Sequence, residues 1–324
     1  MTSFDGTRRN GEACRCCGGQ YASTFDVASW RSPDWSTYMF GECRRCGTLN
    51  LIDAVDASPF YSSGYWGASR AAGRPSLLRR GLGRAAASTV MPRTPLARLV
   101  PRPLRRPEWL AWMAGSGLSL DSPIVDVGCG QGVLLGELSR WGFSDLTGVD
   151  PHLDADRMEA SGVQLQSRSL GQAERSDYSM AIFHHSLEHM DNPVEMLRLA
   201  RERLAGDGAR AVVALPVAQG PVWERYRDNW WAIDAPLHRF VPTVDGLRYL
   251  AAAADLELGR ISPSSPAHHV IGSEMVRRRL QPNASPSSVL SQRELKLLCA
   301  DAASMNTVPR CPQLSVVMKP KRAT

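Results

Sequence analysis

The sequence predicts an α/β protein: a doubly wound, mostly parallel seven-stranded sheet with an antiparallel last strand, preceded by a small cysteine-rich module. Three observations predict it. A strand, a glycine turn, a helix and a second strand ending on a carboxylate succeed one another over residues 124–150. Apolar strand-length runs then alternate with helical periodicities as far as Val317. Two C-x-x-C-G turns stand near the start, with Cys14 and Cys17 in the first and Cys43 and Cys46 in the second. With 324 residues, 43% hydrophobic and 22% charged, the chain is neither collagen-like nor disordered throughout, and it is long enough for one large domain with an attachment. Arg8 and Arg9 are followed by no apolar block, and no run of about 18 apolar residues occurs. Neither a secretory signal nor a spanning helix is predicted, and the expected location is cytoplasmic.

The front cysteines come first. Each knuckle aims two thiolates at one tetrahedral ion, and Gly18 and Gly47 let backbone amides approach the sulfurs. Cys14, Cys17, Cys43 and Cys46 are therefore the candidate ligands of a structural zinc, the fold of a zinc ribbon. Cys16 competes with Cys17, but only Cys17 precedes a glycine. Four thiolates leave no open coordination position, so this metal would hold the fold rather than act on a substrate. Disulfides are disfavoured because nothing points to an oxidising compartment.

An aromatic cluster with Tyr61, Tyr65 and Trp66 follows, and then a belt over 67–107 with ten arginines and no acid. The formal net charge of +6 comes from this belt, so the rest of the chain is on balance acidic. Five prolines between 92 and 107 leave room only for short helices. A solvated connector, a surface for acidic lipid or phosphorylated substrate, and a flap over an active site all fit. Tyr61 and Tyr65 would either cover a cofactor or pack ordinarily.

The sheet begins at 124–127. Leu134, Leu138 and Trp141 share a helix face after the glycines, and the next strand closes on Asp150, whose carboxylate suits two ribose hydroxyls. The glycine spacing is G-x-G-x-G, and the strand before it contains Asp126. An anionic pyrophosphate would be repelled there, whereas a cationic ligand with an amino-acid tail would not. The residues thus favour S-adenosylmethionine over a nicotinamide dinucleotide. Further strands are predicted at 177–183, 211–216, 256–261 and 314–317, with a helix opened by Asn192 as its cap and Pro193.

Over roughly 120–320 the chain resembles the class I S-adenosylmethionine-dependent methyltransferases, which have a Rossmann-like sheet. Asp126, Gly128, Cys129, Gly130 and Gly132 look like their first motif, Gly148 and Asp150 like their ribose-binding strand end, and the Leu187-Glu188-His189 ending like one branch of the family. The resemblance implies cofactor contacts from Asp126, Gly128, Cys129, Gly130, Gly132, Asp150, Pro151, Leu170, His184, His185 and Tyr65. Where relatives often place an acid against the adenine amine, this chain has Leu170 and Gln172. The twin knuckles, together with Trp230, Pro236 and His238, resemble the zinc-ribbon methyltransferases of bacterial sugar and glycan biosynthesis. The expected organisation is a zinc ribbon over 1–58, a connecting segment over 59–118 and a methyltransferase domain over 119–324.

Ligands of open parallel sheets bind beyond the carboxyl ends of the strands, where His184, His185, Glu188 and His189 fall. Transfer from a sulfonium needs an aligned nucleophile and removal of its proton. His189 is the expected base, Glu188 the group that orients a ring, and His238 the substrate-side alternative. The plainer alternative is a structural histidine and a loop-fixing carboxylate. His185, Glu188 and His189 also spell H-x-x-E-H, the inverted zinc-protease pattern, but they follow a strand rather than lying on a helix. Binding of a divalent ion by Glu188 and His189 stays open. The expected acceptor is a small molecule or glycan precursor, such as a nucleotide-linked sugar. Nucleic-acid methylation and a non-catalytic cofactor-binding scaffold are the competing readings. Nucleic acid is disfavoured because the body shows no basic face interleaved with aromatics.

Overall fold

The structure, a computed structural model, describes residues 13–61, 81–82, 84–85, 109–113, 116–206, 208–264, 267–280 and 284–321. Tyr65 and nearly all of the arginine belt lie outside the described residues. The front module is an antiparallel sheet of β1 (Tyr21–Ala28), β2 (Thr37–Cys43) and β3 (Leu49–Leu51). Its fourth strand is β10 (Phe240–Val241), which pairs Phe240 with Asn50 and Val241 with Leu49. The module therefore shares its sheet with the body.

The main sheet contains β4 (Ile124–Val127), β5 (Leu146–Val149), β6 (Arg157–Met158), β7 (Gln164–Gln166), β8 (Met180–His184), β9 (Arg210–Pro216), β11 (Leu256–Pro263) and β12 (Gln313–Pro320). Their order is β11-β12-β9-β8-β4-β5-β7-β6. From β9 to β7 neighbouring strands run parallel, and β12 runs antiparallel between β9 and β11. These are the seven strands of the predicted class. The two-residue β6, antiparallel on β7, is an addition at the edge.

Both faces of the sheet are covered, which is why its strands read as continuous apolar runs. Side chains alternate across it. Val125 and Val127 pack with Leu197, Ala200 and Leu247 in one core cluster. Ile124, Met180 and Ile182 pack with Leu135 and Leu138 in another. The helix Val133–Arg140 connects β4 to β5, and Pro193–Glu202 connects β8 to β9. Asn192 stands at the N-cap of the second helix without a side-chain capping bond, so Pro193 alone supplies the start signal. Among the described residues no helix is long and apolar enough to cross a membrane.

Strand β4 lies between β5 and β8, so successive connections leave it in opposite directions. That switch point opens a crevice at the carboxyl ends of β4, β5 and β8.

Candidate active site

The crevice floor is built by the glycine turn after β4. Gly128, Gly130 and Gly132 have φ of 73°, 50° and 77°, a region that residues with a Cβ rarely occupy. Gly128 is also crowded, because a Cβ there would lie 2.6 Å from Cβ of Ser186. Its N–H donates to Val149 O at 2.8 Å, which folds the turn over the end of β5. Asp150 then closes the turn: its carboxylate accepts from Gly130 N–H at 2.9 Å and from His152 N–H at 2.8 Å. Asp126 is buried beneath, and that burial, helped by the charge of Asp150, pushes its carboxyl up to about 8. At neutral pH the site thus holds a protonated acid that a cation would ionise.

The wall is the segment after β8. His184 ends the strand at the surface, and His185 turns the chain with φ of 54°, strained for a residue with a Cβ. Its N–H reaches Ala214 O at 2.9 Å. Ser186 donates to Val127 O at 2.6 Å and so ties the wall to the floor. Glu188 is completely buried, and its Oε1 lies 3.5 Å from His185 Nδ1 and 4.0 Å from His238 Nε2. Burial works to raise its carboxyl. The His185 ring close by and the charges of His238, His185 and His189 outweigh that burial and leave it lowered, at about 2. Burial and then His238 hold the His189 ring down to about 4.

Nδ1 of His189 lies 3.2 Å from Leu237 O, and Nδ1 of His238 lies 2.9 Å from Ala232 O. A carbonyl oxygen only accepts, so in both rings Nδ1 carries the hydrogen. The two rings meet edge to face with centroids 4.7 Å apart. Glu188 and one ring nitrogen from each histidine lie within 4.8 Å of one another. The three expected catalytic residues therefore form one cluster next to the glycine turn, although they come from two separate stretches of chain.

A family model described as "Methyltransferase domain" matches residues 91–260, slightly more than half of the chain. The chain belongs to this methyltransferase family. It also resembles EEF1A lysine methyltransferase 2 of Homo sapiens, with 35% identity over 60 residues, covering 18% of this chain and 25% of that protein. The zebrafish (Danio rerio) protein of the same name is 46% identical over 41 residues, 13% of this chain and 18% of its own length. The chain thus spans about a quarter or less of the length of these curated relatives. Among solved structures, the cyclopropane synthase MmaA2 of Mycobacterium tuberculosis aligns with TM-score 0.40 and 16% identity, covering 65% of this chain and 82% of that one. An S-adenosylmethionine-dependent methyltransferase from Mesorhizobium loti aligns with TM-score 0.41 and 14% identity, covering 65% and 97%.

In the methyltransferase, Asp126, Gly128, Cys129, Gly130, Gly132 and Asp150 gather on the crevice floor, and Pro151 is exposed in the following turn. Gly148 makes room for Cys129, since a Cβ there would lie 2.6 Å from its sulfur. The Leu170 side chain is buried in the core. Gln172 accepts hydrogen bonds from the Ser169 backbone and hydroxyl at 3.3 and 3.1 Å, which closes its own turn. Sequence reasoning missed Arg31, Ser186, Asp234 and Gln313. Only Ser186 carried a usable signal, its place inside the His185–His189 run.

At the front of the methyltransferase, the Cys14 and Cys46 sulfurs lie 3.6 Å apart, and those of Cys17 and Cys43 lie 3.4 Å apart. A tetrahedral zinc with bonds of about 2.3 Å needs sulfurs roughly 3.8 Å apart, so the donor set and its spacing fit that ion. All four sulfurs lie within 4.8 Å of one another. Cys16 is outside the group, buried beside Gly246, and its burial pushes the thiol up.

Proposed function

We propose that this protein transfers a methyl group from S-adenosylmethionine to a small molecule or glycan precursor, with a nucleotide-linked sugar as the acceptor class. The buried Asp126 beside the glycine turn carries this reading, because a sulfonium and an ammonium are the charges that would compensate it. Asp150 would accept the ribose hydroxyls, and Gly128, Cys129, Gly130 and Gly132 would admit the ligand to the backbone. When bound, the cofactor supplies an electrophilic methyl group. The chain's own part is to align the acceptor and take its proton.

His189 is the base in this reading. Its ring is neutral at neutral pH, and a proton taken there meets the buried Glu188 carboxylate nearby. His238 holds the substrate side. Cys14, Cys17, Cys43 and Cys46 carry a structural zinc, and the reducing cytoplasm keeps their thiolates available. The ribbon covers 1–58, the connecting segment 59–118 and the methyltransferase domain 119–324. The arginines of the connecting segment would meet substrate phosphate or, alternatively, an anionic lipid surface.

The identity with EEF1A lysine methyltransferase 2 over 60 residues favours a second reading, transfer to a protein lysine. Both readings start from calorimetry with S-adenosylmethionine. Binding is expected for the wild type, and Asp150→Ala should weaken it by about 1.5–3 kcal/mol, the scale of a lost charged hydrogen bond. Labelled donor offered with nucleotide sugars, lysine-bearing protein or RNA then selects the acceptor class. A wild-type protein that takes up no donor defeats both.

A further inference from the structure

We propose that Arg31, on the turn between β1 and β2, is a positioning residue for the reaction: it clamps Asp234 and so sets the charge that His238 meets. The proposal rests on the reading of His238 as a site residue.

The turn reaches out of the ribbon and grips the loop before β10 at three successive positions. Ser29 Oγ donates to Ala235 O at 2.6 Å, and Trp30 Nε1 donates to Trp231 O at 3.3 Å with the two indoles stacked. Arg31 donates Nε and Nη2 to the two oxygens of Asp234 at 2.6 and 2.7 Å. This fork-on-carboxylate pairing is the most rigid an ion pair offers, and both side chains are nearly buried, at 13% and 11% exposure. None of these four bonds serves the cysteine cluster.

The loop they hold carries His238. Its N–H bonds Asp234 O at 3.2 Å, and its Nδ1–H bonds Ala232 O at 2.9 Å. Nε2 is therefore the nitrogen that gains or loses a proton. It faces Asp234 at 3.9 Å and Glu188 at 4.0 Å. Among the described residues, the other titratable groups around it are His189 in edge contact, His185 against the same oxygen of Glu188, and His269 from the helix Ala267–Arg277. Of the two carboxylates, Glu188 has no arginine or lysine bonded to it among the described residues, whereas Asp234 is paired with Arg31. With the clamp in place His238 meets one uncompensated negative charge. Without it, His238 meets two.

Ring-labelled histidine NMR tests this on the full-length protein without any substrate. Seven histidines give seven ring signals, and the one missing in His238→Gln is assigned to His238. Arg31→Met should move the His238 titration midpoint up by roughly one pH unit, about tenfold in proton affinity, the scale of an opposite charge within roughly 4–6 Å. Arg31→Lys, which keeps the charge, should stay close to wild type, and Asp234→Asn should move the midpoint down. A wild-type midpoint in Arg31→Met overturns the proposal, even if the melting temperature falls. Should that variant not fold, an unchanged midpoint in Asp234→Asn overturns it equally. Calorimetry with S-adenosylmethionine on the same samples reports separately on the methyltransferase reading.

Discussion

Gln313 Nε2 stands 3.0 Å from His185 Nε2, which joins the first residue of β12 to the wall of the crevice. The other end of the amide, Oε1, lies 3.1 Å from His268 Nε2 and 2.8 Å from His269 Nε2. Chemistry fixes the direction of these bonds. Were the amide reversed, His269 would carry its hydrogen on Nδ1, which is buried without a partner. The carbonyl therefore accepts from both rings, the NH2 group donates to His185 Nε2, and the proton of His185 sits on Nδ1, 3.5 Å from Glu188.

Replacing Gln313 by Leu should break this chain. Nitrogen-detected NMR of the His185 ring should show loss of the pure Nδ1–H tautomer. Stability should fall by about 1–3 kcal/mol, because His269 and Ser264 lose their shared partner in the interior. An unchanged tautomer would mean that the strain at His185, not Gln313, sets the ring.

Asp126 makes a prediction about pH. Its carboxyl stands at about 8 in the folded chain against about 3.9 when unfolded, so between those values the native state binds more protons. Stability of the cofactor-free protein should therefore fall as pH rises through that window, with a slope of at most about 1.4 kcal/mol per pH unit. Asp126→Asn should flatten the slope in urea titrations at several pH values. Affinity for S-adenosylmethionine should rise over the same range in the wild type, since a cation binds the ionised form.

The parts of this architecture visible in the sequence are those that repeat or punctuate. Apolar runs marked β4, β5, β8 and β9, and the glycines marked the turn between the first two. Strand β7 gave no such signal: Gln164, Leu165 and Gln166 hold one apolar side chain, and parallel pairing with β5 decides their conformation. Clustering of Glu188 with His189 was legible because one short turn holds both. His238, Gln313 and Arg31 lie about 50 to 160 positions away along the chain and meet that turn only through folding. Their roles depend on the direction of single hydrogen bonds, which no periodicity records.

The four clustered cysteines give a prediction about metal. Fresh reduced protein should contain one zinc per chain, and chelation or Cys43→Ser should release it. Damage should spread beyond the front module. Strand β3 pairs with β10, and Thr243, which caps the helix Val244–Ala253, also bonds the carbonyl of Cys46. Near-ultraviolet circular dichroism should therefore report loosening of the stacked Trp30 and Trp231, while S-adenosylmethionine binding at β4 and β5 persists. Zinc-free protein with an intact tryptophan spectrum would show that the fold does not need the metal.

His189 and His238 compete for the role of base, and pH separates them. Burial and the neighbouring His238 hold the His189 ring down to about 4, so it stays neutral and able to accept a proton down to about that pH. If it is the base, the acid limb of turnover should lie near 4 rather than near the ordinary histidine value of about 6.5. His189→Ala should then cut turnover by roughly 10²- to 10⁴-fold, with affinity for S-adenosylmethionine unchanged, because the residue sits on the wall and not on the glycine floor. His238→Ala removes one of the two causes that lower His189, so the acid limb should persist and move up from about 4. An acid limb near 6.5 that disappears in His238→Ala, together with normal turnover in His189→Ala, would transfer the role to His238.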